Sequence, residues 1–246
     1  MSSERAAQSA DRQQLSVTPL WLAVCAVGVV GLVWAWGETE LSSRFISGVA
    51  GGLVAVSGIV GWLAWAVEDQ PLTLPTVVTL FRGVALSVFV GFLLAGVPDG
   101  SLAWLPAVLF AVAAGLDAVD GWLARRTDSV SAFGGRLDME IDALTVLFGT
   151  LFVVREAFVP AVFMLVGVAR YLFVFGIWLR RRRGLEVAEL PPSQLRRLLG
   201  GLAMGTIWLA LLPIVPATVS RPLALVVLVP FILNFSRDWL AVSGRR

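Results

Sequence analysis

Four aspartates in this chain have types and spacing suited to chemistry: Asp117 and Asp120, then Asp138 and Asp142. Residues three or four apart on a helix share a face, so each pair consists of neighbours. Gly121 and Ala124 continue the first stripe, Arg125 follows, and eight residues separate it from Gly134. The segment from Arg126 to Phe133 is short and polar, and it can turn the chain so that the two helix ends lie side by side. Four converging carboxylates repel one another, and multivalent cations remove that repulsion. Hard oxygen donors suit Mg2+ or Mn2+, completed by water and a substrate phosphate. A pair of such ions is a familiar arrangement for displacement at phosphorus. Gly121 and Ala124 leave room for a flat group, such as a nucleotide, against the helix. A plainer reading has the aspartates capping helices, with Asp138 near a helix start. Four of them at helical spacing beside small residues in an apolar chain favour a site, because ionisable groups within membrane segments are functional by default.

The rest of the chain must position these groups in lipid. Of 246 residues, 58% are hydrophobic and 15% charged. Long apolar runs with clustered charges indicate a polytopic membrane protein. Every basic residue is arginine, and histidine is absent, so proton transfer falls to carboxylates, Tyr171, the Cys25 thiol or water. A net charge of +2 gives no reason to expect a nucleic-acid partner. A single cysteine excludes an internal disulfide.

Eight candidate spans lie near residues 18–36, 47–67, 76–97, 102–124, 138–155, 158–179, 196–213 and 220–236. Most of them can cross a hydrocarbon core of about 30 Å. Residues 1–17 are expected to form a disordered cytoplasmic tail, with the first span uncleaved behind it. With that tail in the cytoplasm, most arginines fall on the cytoplasmic side, and only Arg44, Arg155 and Arg221 sit near span ends on the other. Polar residues and two prolines between Glu68 and Pro75 separate an N-terminal transmembrane hairpin, 18–70, from a six-helix core, 71–246. The expected fold is therefore all-α, a polytopic helical bundle with a six-helix core and two extra N-terminal helices. Gly48, Gly51, Gly52, Gly58 and Gly61 suit close helix packing.

At its aspartates the sequence resembles the CDP-alcohol phosphatidyltransferase family. The signature D-x2-D-G-x2-A-R-x8-G-x3-D-x3-D is matched at every fixed position by Asp117, Asp120, Gly121, Ala124, Arg125, Gly134, Asp138 and Asp142. The resemblance covers about residues 73–236. It implies that Asp117, Asp120, Asp138 and Asp142 hold two metal ions, Mg2+ or Mn2+, and that Asp142 is also the general base. It implies that Gly121, Arg125 and Ser131 contact the CDP moiety. A further nucleotide-contacting segment, P-x3-T-x2-R, is matched by Pro75, Thr79 and Arg82, with Thr76 standing where many members have Asn or Asp. The implied reaction joins an alcohol acceptor to the phospho-lipid group of a CDP-linked lipid and releases CMP, as a step of phospholipid synthesis in the cytoplasmic membrane. A homodimer is implied as well.

On the acceptor side, Arg180 to Arg183 read chiefly as a topological anchor at the anionic leaflet. Arg170 lies within an apolar span and should face a cavity or a carboxylate. Arg82, Arg170, Arg196 and Arg197 are the candidates for binding a phosphate of the acceptor or donor. Two rivals remain. An intramembrane prenyltransferase would carry two widely separated aspartate motifs. A divalent-cation transporter would show a matching second half. Neither feature is evident in the sequence.

Overall fold

The computed structural model describes residues 21, 42–67, 73–127, 131–190 and 192–244, without the side chains of 74 and 117–127. Among these residues the chain is helical: α1 Ser43–Ala66, α2 Leu74–Ala95, α3 Leu105–Thr127, α4 Ala132–Arg155, α5 Met164–Arg182, α6 Gln194–Leu211 and α7 Ala217–Val242. Four are long and apolar enough to cross a membrane: Ser43–Ala66, Pro75–Ala95, Ala161–Arg182 and Ala217–Val242. α4 is not among them, because Asp138, Glu140 and Asp142 interrupt its apolar run, and the described side chains of α3 continue an apolar stretch, Gly100–Leu116. Large apolar side chains point outward along the apolar helices, with Trp65 86% exposed. In water such a surface would be strongly unfavourable, whereas lipid accepts it. The chain is a polytopic helical membrane protein. The first expected span lies outside the described residues apart from Trp21, which is buried and donates to Ser57 Oγ on α1 at 3.0 Å.

The helices group into two compact units. One comprises α1, α2 and Val112–Ile141; the other comprises Gly96–Ala111 and the chain from Asp142 onward. The first cuts across the linear division expected near residue 70, and glycine packing shows why. A Cβ on Gly48 would lie 2.5 Å from the Val90 carbonyl oxygen, and one on Gly52 would lie 2.7 Å from Ser87 Cα. A Cβ on Gly91 would collide with Val49 and Phe45. Backbones therefore nearly touch along α1 and α2, which is how helices associate where burial from water offers no drive. Phe45 and Phe92 close one end, with ring centroids 4.8 Å apart. The other three glycines of the sequence reading differ: among the described residues nothing lies within 4 Å of a Cβ added at Gly51, Gly58 or Gly61. The five glycines occupy two faces of α1, and only one face is packed on α2. Gly52→Leu is therefore expected to destabilise the protein by at least about 1–3 kcal/mol through overpacking. Gly58→Leu, on the face that meets none of the described residues, should stay within about 0.5 kcal/mol of wild type. Thermal unfolding of the two variants in one detergent checks this.

In the second unit α6 packs on α7, and Phe173 of α5 meets Phe235 and Trp239 of α7 edge-on. Gly149 of α4 admits Phe110 and Ile207, where a Cβ would lie 2.3 Å and 2.9 Å from their side chains. At one end, Ser220 Oγ donates to the Phe158 carbonyl, and Arg221 donates to the Ala157 carbonyl at 2.8 Å. These bonds tie the turn after α4 to the start of α7.

Candidate active site

Two helix starts meet in the first unit. Thr73 caps α2: its Oγ1 accepts from Thr76 N–H at 3.4 Å and lies 2.8 Å from Thr76 Oγ1. Ser131 caps α4: its Oγ accepts from Gly134 N–H at 2.9 Å. A Cβ on Gly134 would lie 2.8 Å from Thr76 Oγ1 and 2.9 Å from Ser131 Oγ, so only glycine lets both hydroxyls converge there. The same two helices run side by side in one direction, because Thr76 faces Gly134 and Gly83 faces Ile141 further along. Thr76 and Thr79 are buried, and the Thr79 hydroxyl donates to the Pro75 carbonyl. Three residues that sequence reasoning assigned separately, Thr76, Ser131 and Gly134, are thus brought together.

One helical turn onward stands Arg82. Its side chain is 0% exposed, while that of Asp138 is 30% exposed. Arg82 Nη1 donates to Asp138 Oδ1, and Nε donates to the Ala113 carbonyl at 2.7 Å. Breaking such a buried pair by removing one partner typically destabilises by about 3–5 kcal/mol. The helix-cap reading of Asp138 does not hold. α4 begins at Ala132 behind its Ser131 cap, so Asp138 lies in the second turn. The span read from hydropathy starts at 138, yet the helix already runs through the six residues before it, with Phe133 and Leu137 fully buried. Asp142 follows one turn later on α4 and is half-buried.

Asp117, Asp120, Gly121 and Arg125 lie on α3 at spacings that put Asp117, Asp120 and Gly121 on one face. Their side chains are outside the described residues. Among the described residues no three carboxylate, thiol or imidazole groups come together as a metal site, and two of the four expected ligands are not in that set. What is described fits a hard divalent cation. Asp138 offers a carboxylate fixed at one oxygen yet partly exposed, and Asp142 offers another a turn away, all-oxygen donors of the kind Mg2+ and Mn2+ take.

A separate cluster occupies the second unit. Arg196, near the Ser193-capped start of α6, bonds Asp238 on α7 with two prongs: Nε to Oδ2 at 2.8 Å and Nη2 to Oδ1 at 3.3 Å. Asn234 Nδ2 donates to Asp238 Oδ2 at 3.0 Å. Arg196, Asn234 and Asp238 line two cavities. One, of about 890 Å3, lies between the Ala188–Ser193 segment and the end of α7. The other, of about 230 Å3, is lined by Arg170, Phe173 and Phe235. Arg170 therefore faces a cavity, as its position in an apolar span requires. Arg197 is exposed and lines neither. Asp238 and Asn234 escaped sequence reasoning. Their signal is two polar residues four apart, hence on one face, where the apolar run of α7 ends. Of the arginine run, Arg180 donates to the carbonyls of Glu186 and Ser243, and Arg182 stacks over Trp178 at 4.3 Å. Those bonds tether the segment after α5 to the end of α7.

Comparison with known proteins identifies the family. The chain shares 31% identity over 84 residues with the CDP-diacylglycerol--glycerol-3-phosphate 3-phosphatidyltransferase of Wigglesworthia glossinidia brevipalpis, covering 34% of this chain and 45% of that one. It shares 54% identity over 48 residues with the archaetidylinositol phosphate synthase of Pyrococcus horikoshii, covering 18% of this chain and 26% of that one. The matches thus span less than half the length of either relative. The description of the family named CDP-alcohol phosphatidyltransferase fits residues 72–236, which run from the start of α2 into α7 and take in both halves of the aspartate motif. By that match over most of its length, the chain belongs to the CDP-alcohol phosphatidyltransferase family.

Proposed function

We propose that this protein transfers the phospho-lipid group of a CDP-linked lipid, such as CDP-diacylglycerol or CDP-archaeol, to the hydroxyl of an acceptor that itself carries a phosphate. The observation that carries the reading is Asp138. It is a carboxylate in an apolar chain, anchored by a buried arginine yet 30% exposed, one turn from Asp142 within the family motif.

Family members depend on a divalent cation. Here Asp117, Asp120, Asp138 and Asp142 would hold two ions, Mg2+ or Mn2+. When bound, the ions offset the charge of the diphosphate and of the departing CMP. Asp142 takes the proton of the acceptor hydroxyl. The acceptor oxygen then attacks the phosphorus bearing the lipid. A new O–P bond forms, the bond to the CMP phosphate breaks, and CMP leaves with the electron pair. Thr76, Thr79, Gly121, Arg125 and Ser131 hold the CDP moiety, and the N-terminal ends of α2 and α4 favour its negative charge. The arginine asymmetry supports a site on the cytoplasmic side of the cell membrane.

Two facts support a phosphorylated acceptor. Arg170 lines the smaller cavity beside the Arg196–Asp238 pair, and arginine is the side chain best matched to phosphate. The names of both relatives carry a phosphorylated alcohol, glycerol-3-phosphate in one and inositol phosphate in the other. The test is CMP release by purified protein with CDP-diacylglycerol or CDP-archaeol, Mg2+ or Mn2+, and a panel of acceptors. Glycerol 3-phosphate or inositol phosphate should support release, whereas free glycerol, inositol and serine should not. No release with any acceptor defeats the proposal, and release with serine alone defeats its acceptor half. Arg170→Ala should raise the acceptor KM by about 10- to 100-fold, the worth of one charge-assisted hydrogen bond. An unchanged KM would remove Arg170 from the acceptor site.

A further inference from the structure

Arg82 belongs to the nucleotide-contacting segment by sequence pattern, and its charge made it a phosphate-binding candidate. Its geometry points to another task. The guanidinium is fully buried, and its two resolved bonds reach the two helices that carry the aspartates. On α4 it holds Asp138 directly. On α3 it takes the carbonyl of Ala113, four residues before Asp117. A helical carbonyl accepts from the N–H four residues on, so Ala113 lies one turn below the first aspartate of the motif. A carbonyl has two lone pairs, and the arginine uses one without breaking the ladder. α2 also carries Thr76 against Gly134, so it touches α4 both at its capped start and at its first aspartate.

We propose that Arg82 is a positioning residue: one buried guanidinium that fixes the register of α3 against α4 and aims the Asp138 carboxylate, so that the two halves of the aspartate motif hold divalent cations at the right separation. The inference rests on the proposed function for the purpose of the aspartates and goes beyond it in assigning Arg82. A planar fork with donors on different nitrogens can span a carbonyl and a carboxylate at once. A lysine ammonium in the same place is a point donor on a flexible stem and cannot fix both directions. Partners that orient metal ligands are commonly worth about 10- to 100-fold in metal affinity or activity.

The experiment is a Mn2+ titration followed by electron paramagnetic resonance on full-length Arg82→Lys in detergent, without substrate, beside steady-state CMP release and thermal unfolding. The expected result is a folded protein with near wild-type thermal midpoint. Its Mn2+ dissociation constant should rise, and its kcat should fall, each by about 10- to 100-fold. Its KM for CDP-diacylglycerol should move by less than about threefold, because ground-state donor contacts are untouched. Wild-type Mn2+ affinity overturns the proposal. So does a rise in KM alone, which would return Arg82 to phosphate binding. If Arg82→Lys does not fold, Arg82→Gln takes its place, since the amide can still bridge two partners. If neither folds, Arg82 is a packing residue and the proposal falls. A wild-type chain that binds Mn2+ but releases no CMP would defeat the proposed function and leave the Mn2+ arm to judge Arg82. CMP release by wild type with an indistinguishable Arg82→Lys would defeat the Arg82 assignment alone.

Discussion

Asp142→Asn is expected to lower kcat for CMP release by about 100- to 10,000-fold or more, while binding of the CDP-linked lipid survives. General bases contribute a factor of about that size, and the residue is also an expected metal ligand, so the upper end is the expected one. Asparagine keeps the volume and one carbonyl oxygen of the aspartate but cannot accept the proton of the acceptor hydroxyl. Asp142 is half-buried in the continuous helix α4, where the swap from carboxylate to amide should not disturb the fold. The measurement is single-turnover CMP release beside equilibrium binding of CDP-diacylglycerol. A near wild-type rate would show that the proton leaves by another route.

Asp138 should behave differently, because its carboxylate has a partner that cannot move away. Asp138→Ala removes an expected metal ligand and takes from the fully buried Arg82 guanidinium the carboxylate it is bonded to. Removing one partner of a buried ion pair typically destabilises by about 3–5 kcal/mol. Low yield and a large fall in thermal midpoint are therefore expected together with loss of CMP release. Asp138→Asn keeps an oxygen for Arg82 Nη1. It should fold close to wild type and still be inactive. Unfolding curves of the two variants separate the outcomes. If alanine and asparagine destabilise equally, the charge of Asp138 rather than its hydrogen bond holds Arg82.

The contrast between these two aspartates was only half visible in the sequence. The motif spacing identified the chemistry because its residues are local: three, four and eight positions apart, they need nothing but helix geometry to be placed on faces. The helices themselves were legible for the same reason, since apolar runs of sufficient length have few alternatives. Pairings between distant positions were not legible. Arg82 and Asp138 are 56 residues apart, and Arg196 and Asp238 are 42 apart. No periodicity links them. Charge alone suggested a phosphate ligand for Arg82, when its nearest anion is the protein's own carboxylate. Hydropathy also misjudged the ends. It started the span at 138, although Ser131 caps a helix that already runs through 132–137. The glycines of α1 show the same limit. Composition marks them all as suited to close packing, and only the partner helix decides that Gly48 and Gly52 are used.

That partnership bears on where the protein can be cut. The family match begins at residue 72, just before α2, and so excludes α1. Yet Gly91 and Ser87 on α2 lie directly under α1 backbone and side chains, and Val56 of α1 together with Trp21 lies over Gly83. A protein shortened to residues 72–246 would retain every residue of the family motif and still lose the surface against which its first helix is shaped. Because α2 carries Thr76 and Arg82, shedding α1 would loosen the helix that frames the aspartates. The stretch that defines kinship and the stretch that packs together are different lengths of chain.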